Sequence, residues 1–161
     1  SLLNPIFSWL HIPGPNLAAG PDKPGIIKSH GINIAPLVCY EIAYPALLRS
    51  ALPQAQLFIN LSDDAWFGRS FAAAQQQQIA EVRALETGRY VLTATNNGIT
   101  SIIGPHGNLL KTLPPFKTGV LQGTLRPMEG STPWTRWGDA STPFIALFFL
   151  LIAWWDQRRK R

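Results

Sequence analysis

The sequence has a single cysteine and a single methionine among 161 residues, and only 14% of its residues are charged. One cysteine excludes an intrachain disulfide, although it does not indicate a cellular compartment. The net charge of +5 could suggest a nucleic-acid partner, but four of the 14 basic residues are the last four of the chain. The remainder is nearly neutral and has no basic stripe interleaved with aromatics. We therefore expect no nucleic-acid binding.

The histidines show no spacing typical of a metal site. His11, His30 and His106 are far apart in the sequence and lie in segments rich in Pro and Gly. The same positions disfavour a Cys–His protease, whose histidine would have to be placed against the cysteine. We expect no metal ion and no cofactor.

The cysteine occupies the most informative position in the sequence. An apolar run over residues 32–38 predicts a buried strand, and residues 44–49, with a proline in the first turn, predict a helix. Cys39 therefore lies at a strand-to-helix turn, where free N–H groups of the helix can activate a thiol and donate to an oxyanion. A small buried hydrophobe is the alternative, and the residues alone leave both interpretations open.

The remaining segments predict a layered α/β domain. The first 30 residues are rich in Pro and Gly and predict a long loop. Residues 71–87 predict a helix that groups Ile79, Val82, Leu85 and Glu86 on related faces and stops at the following glycine. Short strands are predicted at residues 57–61, 90–94, 99–103, 109–113 and 120–125, with a hairpin turn at Asn96-Asn97-Gly98.

The C-terminus combines an apolar segment with a basic tail. Residues 143–155 contain no charge, and extension back to Gly138 gives nearly the ~20 residues that span a bilayer. Tryptophan pairs at both ends are typical of interfacial belts, and the basic cluster is typical of a cytoplasmic end. We predict an interfacial linker at 131–137, a transmembrane helix at 138–157 and a cytoplasmic tail at 158–161. A buried core helix is the alternative.

Four motifs, in order, resemble the nitrilase superfamily. They are Val38-Cys39-Tyr40-Glu41, residues 60–67, residues 83–89 and residues 94–98. The Cys-Tyr-Glu and Asp-Ala-Trp-Phe-Gly motifs, with the terminal apolar segment, resemble its apolipoprotein N-acyltransferase branch, a family of the bacterial envelope. The resemblance implies that residues 1–130 are the C-terminal part of a nitrilase-like αββα sandwich, followed by a transmembrane helix.

The resemblance also implies a reaction. Enzymes of that branch move a fatty acyl group from a phospholipid, through a cysteine thioester, to the α-amine of the diacylglyceryl-cysteine at the N-terminus of an apolipoprotein. Cys39 matches the nucleophile, Tyr40 offers a backbone N–H to the oxyanion, and Glu41 matches a supporting carboxylate. Trp66 and Phe67 resemble residues that bind substrate at the acyl-chain entrance. A helix-terminal acid is the alternative for Glu41, as core packing is for the two aromatics.

Structural roles are implied for other residues of the motifs. Glu86 matches a helix glutamate that is expected to pair with Arg83 or Arg89. Asn96 and Asn97 are expected to serve the hairpin turn rather than chemistry.

The resemblance further implies a location and partners. The protein is expected in the bacterial inner membrane, with its catalytic part facing the periplasm and its C-terminus in the cytoplasm. Its partners would be the membrane, a phospholipid acyl donor and an apolipoprotein acceptor. The branch uses a Glu–Lys–Cys triad, but only Lys23 and Lys28 precede Cys39, and no glutamate precedes Glu41. We therefore expect this chain to be a piece of a longer protein and to be inactive alone.

Two other functions stay open. An amidase or carbamoylase of the nitrilase superfamily would act on small amides, but a soluble substrate does not require the apolar C-terminal segment. A non-catalytic envelope protein could keep the same fold as a binding module.

Overall fold

The structure, a computed structural model, describes residues 23–159. Its centre is a mixed six-stranded sheet whose strands follow one another in chain order. The strands are β1 (Ile27–Ser29), β2 (Ile32–Val38), β3 (Leu57–Asp63), β4 (Tyr90–Asn96), β5 (Thr100–Ile103) and β6 (Leu109–Leu113). Strands β2, β3 and β4 are parallel, and the remaining neighbours are antiparallel.

Two helices connect the parallel strands. Helix α1 (Pro45–Ser50) joins β2 to β3, and helix α2 (Ala72–Thr87) joins β3 to β4. Parallel neighbours need such crossovers, and both helices pack on the same face of the sheet. The core cluster contains Leu48, Ala80 and Ala84 from the helices and Ala35, Leu37, Phe58 and Val91 from the strands. The predicted α/β class is confirmed.

Local chemistry fixes two chain reversals that the sequence predicts. Helix α2 ends at Gly88, whose φ of 63° is left-handed and whose N–H donates to Ala84 O at 2.9 Å. Between β4 and β5, Asn97 has φ 61°. A Cβ added to the next residue, Gly98, would lie 1.9 Å from Asp64 Oδ2, so only glycine fits there. The predicted helix stop and hairpin are both confirmed.

Helix α2 faces the core with small and polar side chains rather than with its large apolar residues. Ile79 is half-buried, but Val82 and Leu85 are exposed. The buried positions are instead Gln77, Ala80, Ala84 and Thr87. The small side chains of Ala80 and Ala84 let the helix backbone approach the large strand residues of the core. The face that packs most closely on the sheet is therefore the buried one, although it does not contain the largest apolar side chains of the helix.

Two other expectations need correction. The predicted loop over residues 1–30 contains strand β1, and its first 22 residues lie outside the described part of the chain. Strand β1 is only three residues long and mixed in polarity, so its sequence shows no alternation of apolar and polar residues that would predict a strand. Residues 120–125 form no strand. Glycine weakens a strand, and at Gly123 the chain approaches Ile102 closely instead of continuing the sheet beyond β6.

A buried arginine holds the corner where α2 ends. Arg89 is fully buried and donates to Ala55 O and Gly130 O, each at 2.8 Å. Burial lowers the pKa of Arg89, and the negative charge of Glu129 partly offsets that effect. Arg89 thus contacts backbone carbonyls instead of Glu86. Glu86 pairs with Arg83, the first of the two partners expected from the sequence.

The C-terminal segment is helical but bent. Helix α3 (Pro133–Trp137) is followed by a 3-10 turn at Gly138–Ala140 and by helix α4 (Ser141–Arg159). In residues 23–159, no single helix has both the length and the apolar composition needed to cross a membrane. The pair Pro133–Ala140 and Thr142–Arg159, bent by 63°, meets those two criteria together. A single straight helix over 138–157 is thus not confirmed.

Candidate active site

The cysteine lies in a strained turn. A 3-10 turn at Cys39–Ala43, called here the cysteine turn, follows β2 directly and leads into α1. Cys39 is partly exposed and has φ 51°, in the left-handed region that non-glycine residues rarely occupy. Such conformations persist only where the surroundings hold them, and they cluster at functional sites. The predicted position of Cys39 between strand and helix is confirmed.

Glu41 closes the start of this turn. Its Oε2 accepts a hydrogen bond from the backbone N–H of Val38 at 2.7 Å. The carboxylate therefore satisfies a donor at the beginning of the turn, as a capping acid does. Its observed contact is with the backbone that precedes Cys39.

A mostly apolar cavity of about 520 Å³ opens beside Cys39. Its walls include Cys39 and Tyr40 from the cysteine turn, Phe67 from the loop after β3, and Gln75, Gln76 and Ile79 from α2. The volume is within the usual range for a pocket that holds a small organic ligand. A thiol on the wall of such a cavity can attack a carbonyl carbon of an apolar substrate.

Two exposed aromatic side chains, Tyr40 and Phe67, line the cavity, and two others lie beside them in the chain or in space. Tyr40 and Tyr44 are both exposed and pack edge to face, with ring centroids 5.6 Å apart. Trp66 is 88% exposed and Phe67 51% exposed, so neither is packed in the core of the described structure. Phe67 lines the cavity, whereas Trp66 is absent from the described lining. The structure thus brings Cys39, Tyr40 and Phe67 together and leaves Trp66 on the outer surface.

A buried acid anchors one wall of the cavity. Asp64 is buried, and its Oδ1 accepts from Ser62 Oγ at 2.6 Å. The orientation of the Gln76 amide that satisfies both of its groups has Nε2 donating to Asp64 Oδ1 at 2.7 Å. Buried carboxylates need such donors, so this network fixes Gln76 at the cavity. In the sequence, residues 75–78 are a run of four glutamines, with nothing to mark Gln76 as part of a site.

Lys28, which precedes Cys39 in the chain, is not placed to serve it. Lys28 is exposed on β1 and pairs with Asn33, near the start of β2. Cys39 follows the other end of that strand, about 20 Å away at ~3.3 Å per residue. The described residues also contain no group of three or more His, Cys, Asp or Glu side chains suited to a metal ion. His30 and His106 lie in turns, and His11 lies outside the described residues.

Comparison with known proteins identifies what the chain resembles. Residues 10–133 match the model of the carbon-nitrogen hydrolase family. The chain is 37% identical over 153 residues to an apolipoprotein N-acyltransferase of Pseudomonas paraeruginosa, covering 95% of this chain. It is 41% identical over 153 residues to the protein of that name in Coxiella burnetii, covering 94% of this chain. The chain spans only 30% and 31% of the length of these two relatives.

Solved structures share the fold at lower sequence identity. An amidase from Nesterenkonia sp. superposes with a TM-score of 0.52 at 22% identity, covering 61% of this chain and 40% of that one. Another structure of that amidase, with the same TM-score, has acrylamide added to its active-site cysteine. A CN-hydrolase superfamily protein from Xanthomonas campestris gives a TM-score of 0.50 at 19% identity, covering 60% and 41%. These similarities establish the fold alone.

Proposed function

This chain belongs to the carbon-nitrogen hydrolase family, and from that premise we propose that it is the nucleophile-bearing part of an apolipoprotein N-acyltransferase. One observation carries the proposal: Cys39, in a left-handed conformation at a strand end, forms a wall of a mostly apolar cavity of about 520 Å³. The identity of 37% over 95% of the chain to a protein of that name supports it.

The reaction proceeds in two acyl transfers. The Cys39 thiolate attacks the ester carbonyl carbon of a phospholipid; the C–S bond forms and the ester C–O bond breaks. The lysophospholipid leaves as an alcohol after taking up a proton. The α-amine of the apolipoprotein's diacylglyceryl-cysteine then attacks the thioester, forms the amide, loses a proton and releases the thiolate. The backbone N–H of Tyr40, at the start of the cysteine turn, donates to the oxyanion in both steps.

A general base and an oxyanion lysine belong to a part of the protein outside this chain. Residues 1–38 contain no glutamate, and Lys28 lies at the far end of β2 from the thiol. Glu41, whose carboxylate bonds to Val38 N, supports the turn instead of removing a proton. Phe67 binds the acyl chain at the cavity wall, and Trp66, on the outer surface, contacts the lipid surface, which fits their exposure.

The C-terminal segment anchors the domain in the inner membrane. Every described side chain over residues 142–159 is exposed, although the segment is apolar around its whole circumference up to Trp155. A helix of that kind is stable inside a core or a bilayer, and the described residues do not cover it. The bend between Ala140 and Thr142 lets α3 lie along the interface while α4 enters the lipid. The basic end is cytoplasmic, and the cysteine side is periplasmic.

An amidase acting on small amides is the second candidate. It is favoured by the fold shared with the Nesterenkonia amidase, whose active-site cysteine also forms covalent adducts. A small amide does not require the exposed aromatic side chains near the cavity or the apolar C-terminal helix. We therefore place the acyltransferase first.

The two candidates differ in what the complete protein does with labelled substrates. In detergent–lipid micelles, we expect label from the acyl chain of a phospholipid to appear on a diacylglyceryl peptide that has a free α-amine. The amine is the acceptor, so a matched peptide with an acetylated N-terminus should receive none. Mass spectrometry of both peptides reads the result. Hydrolysis of acetamide or acrylamide without transfer to the peptide would favour the amidase.

Membrane topology is a further prediction of the proposal. In a Cys39→Ala background, single cysteines are placed at His106 and directly after Arg161, and intact spheroplasts are treated with a membrane-impermeant thiol reagent. The first site should be labelled and the second should not, because clustered basic residues resist translocation. Permeabilised spheroplasts provide the control in which both react. Labelling of the second site alone would reject the orientation, and labelling of both would reject the membrane crossing.

A further inference from the structure

The cysteine turn is fastened to α2 by a side chain that the proposed reaction does not use. Arg83 donates from Nε to Ile42 O at 3.1 Å and from Nη2 to Ala43 O at 3.4 Å. These carbonyls belong to the last two residues of the turn. Carbonyls at the end of a helical turn lack partners within it, so they need donors from elsewhere. Arg83 supplies donors to both.

The orientation of the Arg83 side chain is itself fixed by a partner. Its Nη1 pairs with Glu86 Oε2, and the two side chains are only 13% and 22% exposed. The donors of a guanidinium are fixed in a planar fork, so three contacts to three different oxygens leave the group little freedom. The end of α2 is fixed in turn, since Thr132 Oγ1 donates to Glu86 O. The position of Arg83 therefore sets the position of the carbonyl end of the cysteine turn.

The strained residue lies between two fastened ends. Glu41 holds the N–H of Val38 on one side, and Arg83 holds Ile42 and Ala43 on the other. Cys39 keeps a φ of 51° between them, a conformation that a free turn would relax. We infer that Arg83 is a positioning residue for Cys39, which holds the turn so that the thiol faces the cavity. The inference rests on the proposed function, because it assigns the effect to acylation of Cys39.

The test compares two Arg→Lys variants of the complete protein. In Arg83→Lys the positive charge beside Glu86 remains, but one ammonium cannot keep both carbonyls and the carboxylate. We expect the rate constant for acylation of Cys39 by phospholipid to fall by up to about 10²-fold, the loss that a displacement of about 1 Å can cause. The KM for phospholipid and the fraction of protein that becomes acylated should stay unchanged, since binding and folding are retained. Arg126→Lys, at an exposed arginine, is the matched control and should behave as wild type.

Single-turnover acylation distinguishes positioning from folding. A purely structural role would lower the fraction of protein that reacts but leave unchanged the rate constant of the protein that still reacts. That result would overturn the inference. An Arg83→Lys rate equal to wild type overturns it as well. If wild type forms no acyl adduct, the proposed function fails separately. The rate of Cys39 alkylation by iodoacetamide then decides the inference: slower alkylation in Arg83→Lys than in Arg126→Lys supports it, and equal rates reject it.

Discussion

Replacement of Cys39 by serine in the complete protein is expected to abolish acyl transfer. A serine hydroxyl is hardly ionised near neutral pH and is a weak nucleophile without a strong base, whereas a thiolate attacks an ester readily. Loss of a covalent nucleophile typically lowers turnover by about 10⁴-fold or more. Transfer of a labelled acyl chain from phospholipid to a diacylglyceryl peptide measures the effect.

Two controls make this result specific to chemistry. The serine oxygen fits where the sulfur lies, so the variant should keep the thermal midpoint of wild type, and Cys39→Ala sets the background rate. On the wild-type protein, an acyl adduct should form that hydroxylamine or mild base removes, as expected for a thioester. Retained transfer by the serine variant, or no base-labile adduct on wild type, would show that Cys39 is not the nucleophile.

Features governed by local chemistry could be predicted from the sequence. The Asn97-Gly98 hairpin and the stop at Gly88 depend on backbone conformations that few residues adopt, so the residue types alone indicate them. The position of Cys39 followed from an apolar run that ends beside a helix start. The pairing of Glu86 with Arg83 follows from their spacing of three residues on one helix.

Features that depend on distant segments could not be predicted in this way. Burial of Ala80 and Ala84 in place of Val82 follows from the shape of the sheet beneath α2, which the helix sequence does not contain. The contact of Arg83 with Ile42 joins residues 41 apart in the chain. Gln76 borders the cavity because α2 packs beside the cysteine turn, and Asp64, directly after β3, fixes its amide. The sequence predicts a last strand at 120–125, but these residues form none and the sheet ends at β6.

The face of the sheet opposite the helices carries exposed apolar side chains beside the cysteine turn. Val38, Leu61 and Ala94 lie side by side across three parallel strands, next to the cysteine turn. Val38 is 63% exposed and Leu61 52% exposed in the described structure. An αββα sandwich covers this face with a second sheet, and an exposed apolar face indicates missing contacts. The relatives are more than three times as long as this chain, so they contain sequence beyond the part that it matches.

Residues 1–161 alone are therefore expected to show no acyl transfer, even where they fold. Members of a catalytic triad act as a unit. A cysteine without its base and oxyanion lysine therefore loses nearly all of the rate acceleration, typically about 10⁴-fold or more. Turnover of labelled phospholipid by the purified chain should equal that of its Cys39→Ala variant. Addition of the separately expressed remainder of the protein should restore transfer only when Cys39 is present, because under the proposed function that remainder supplies the second sheet, the base and the lysine. Turnover by residues 1–161 above the Cys39→Ala level would instead mean that the base and the lysine lie within this chain.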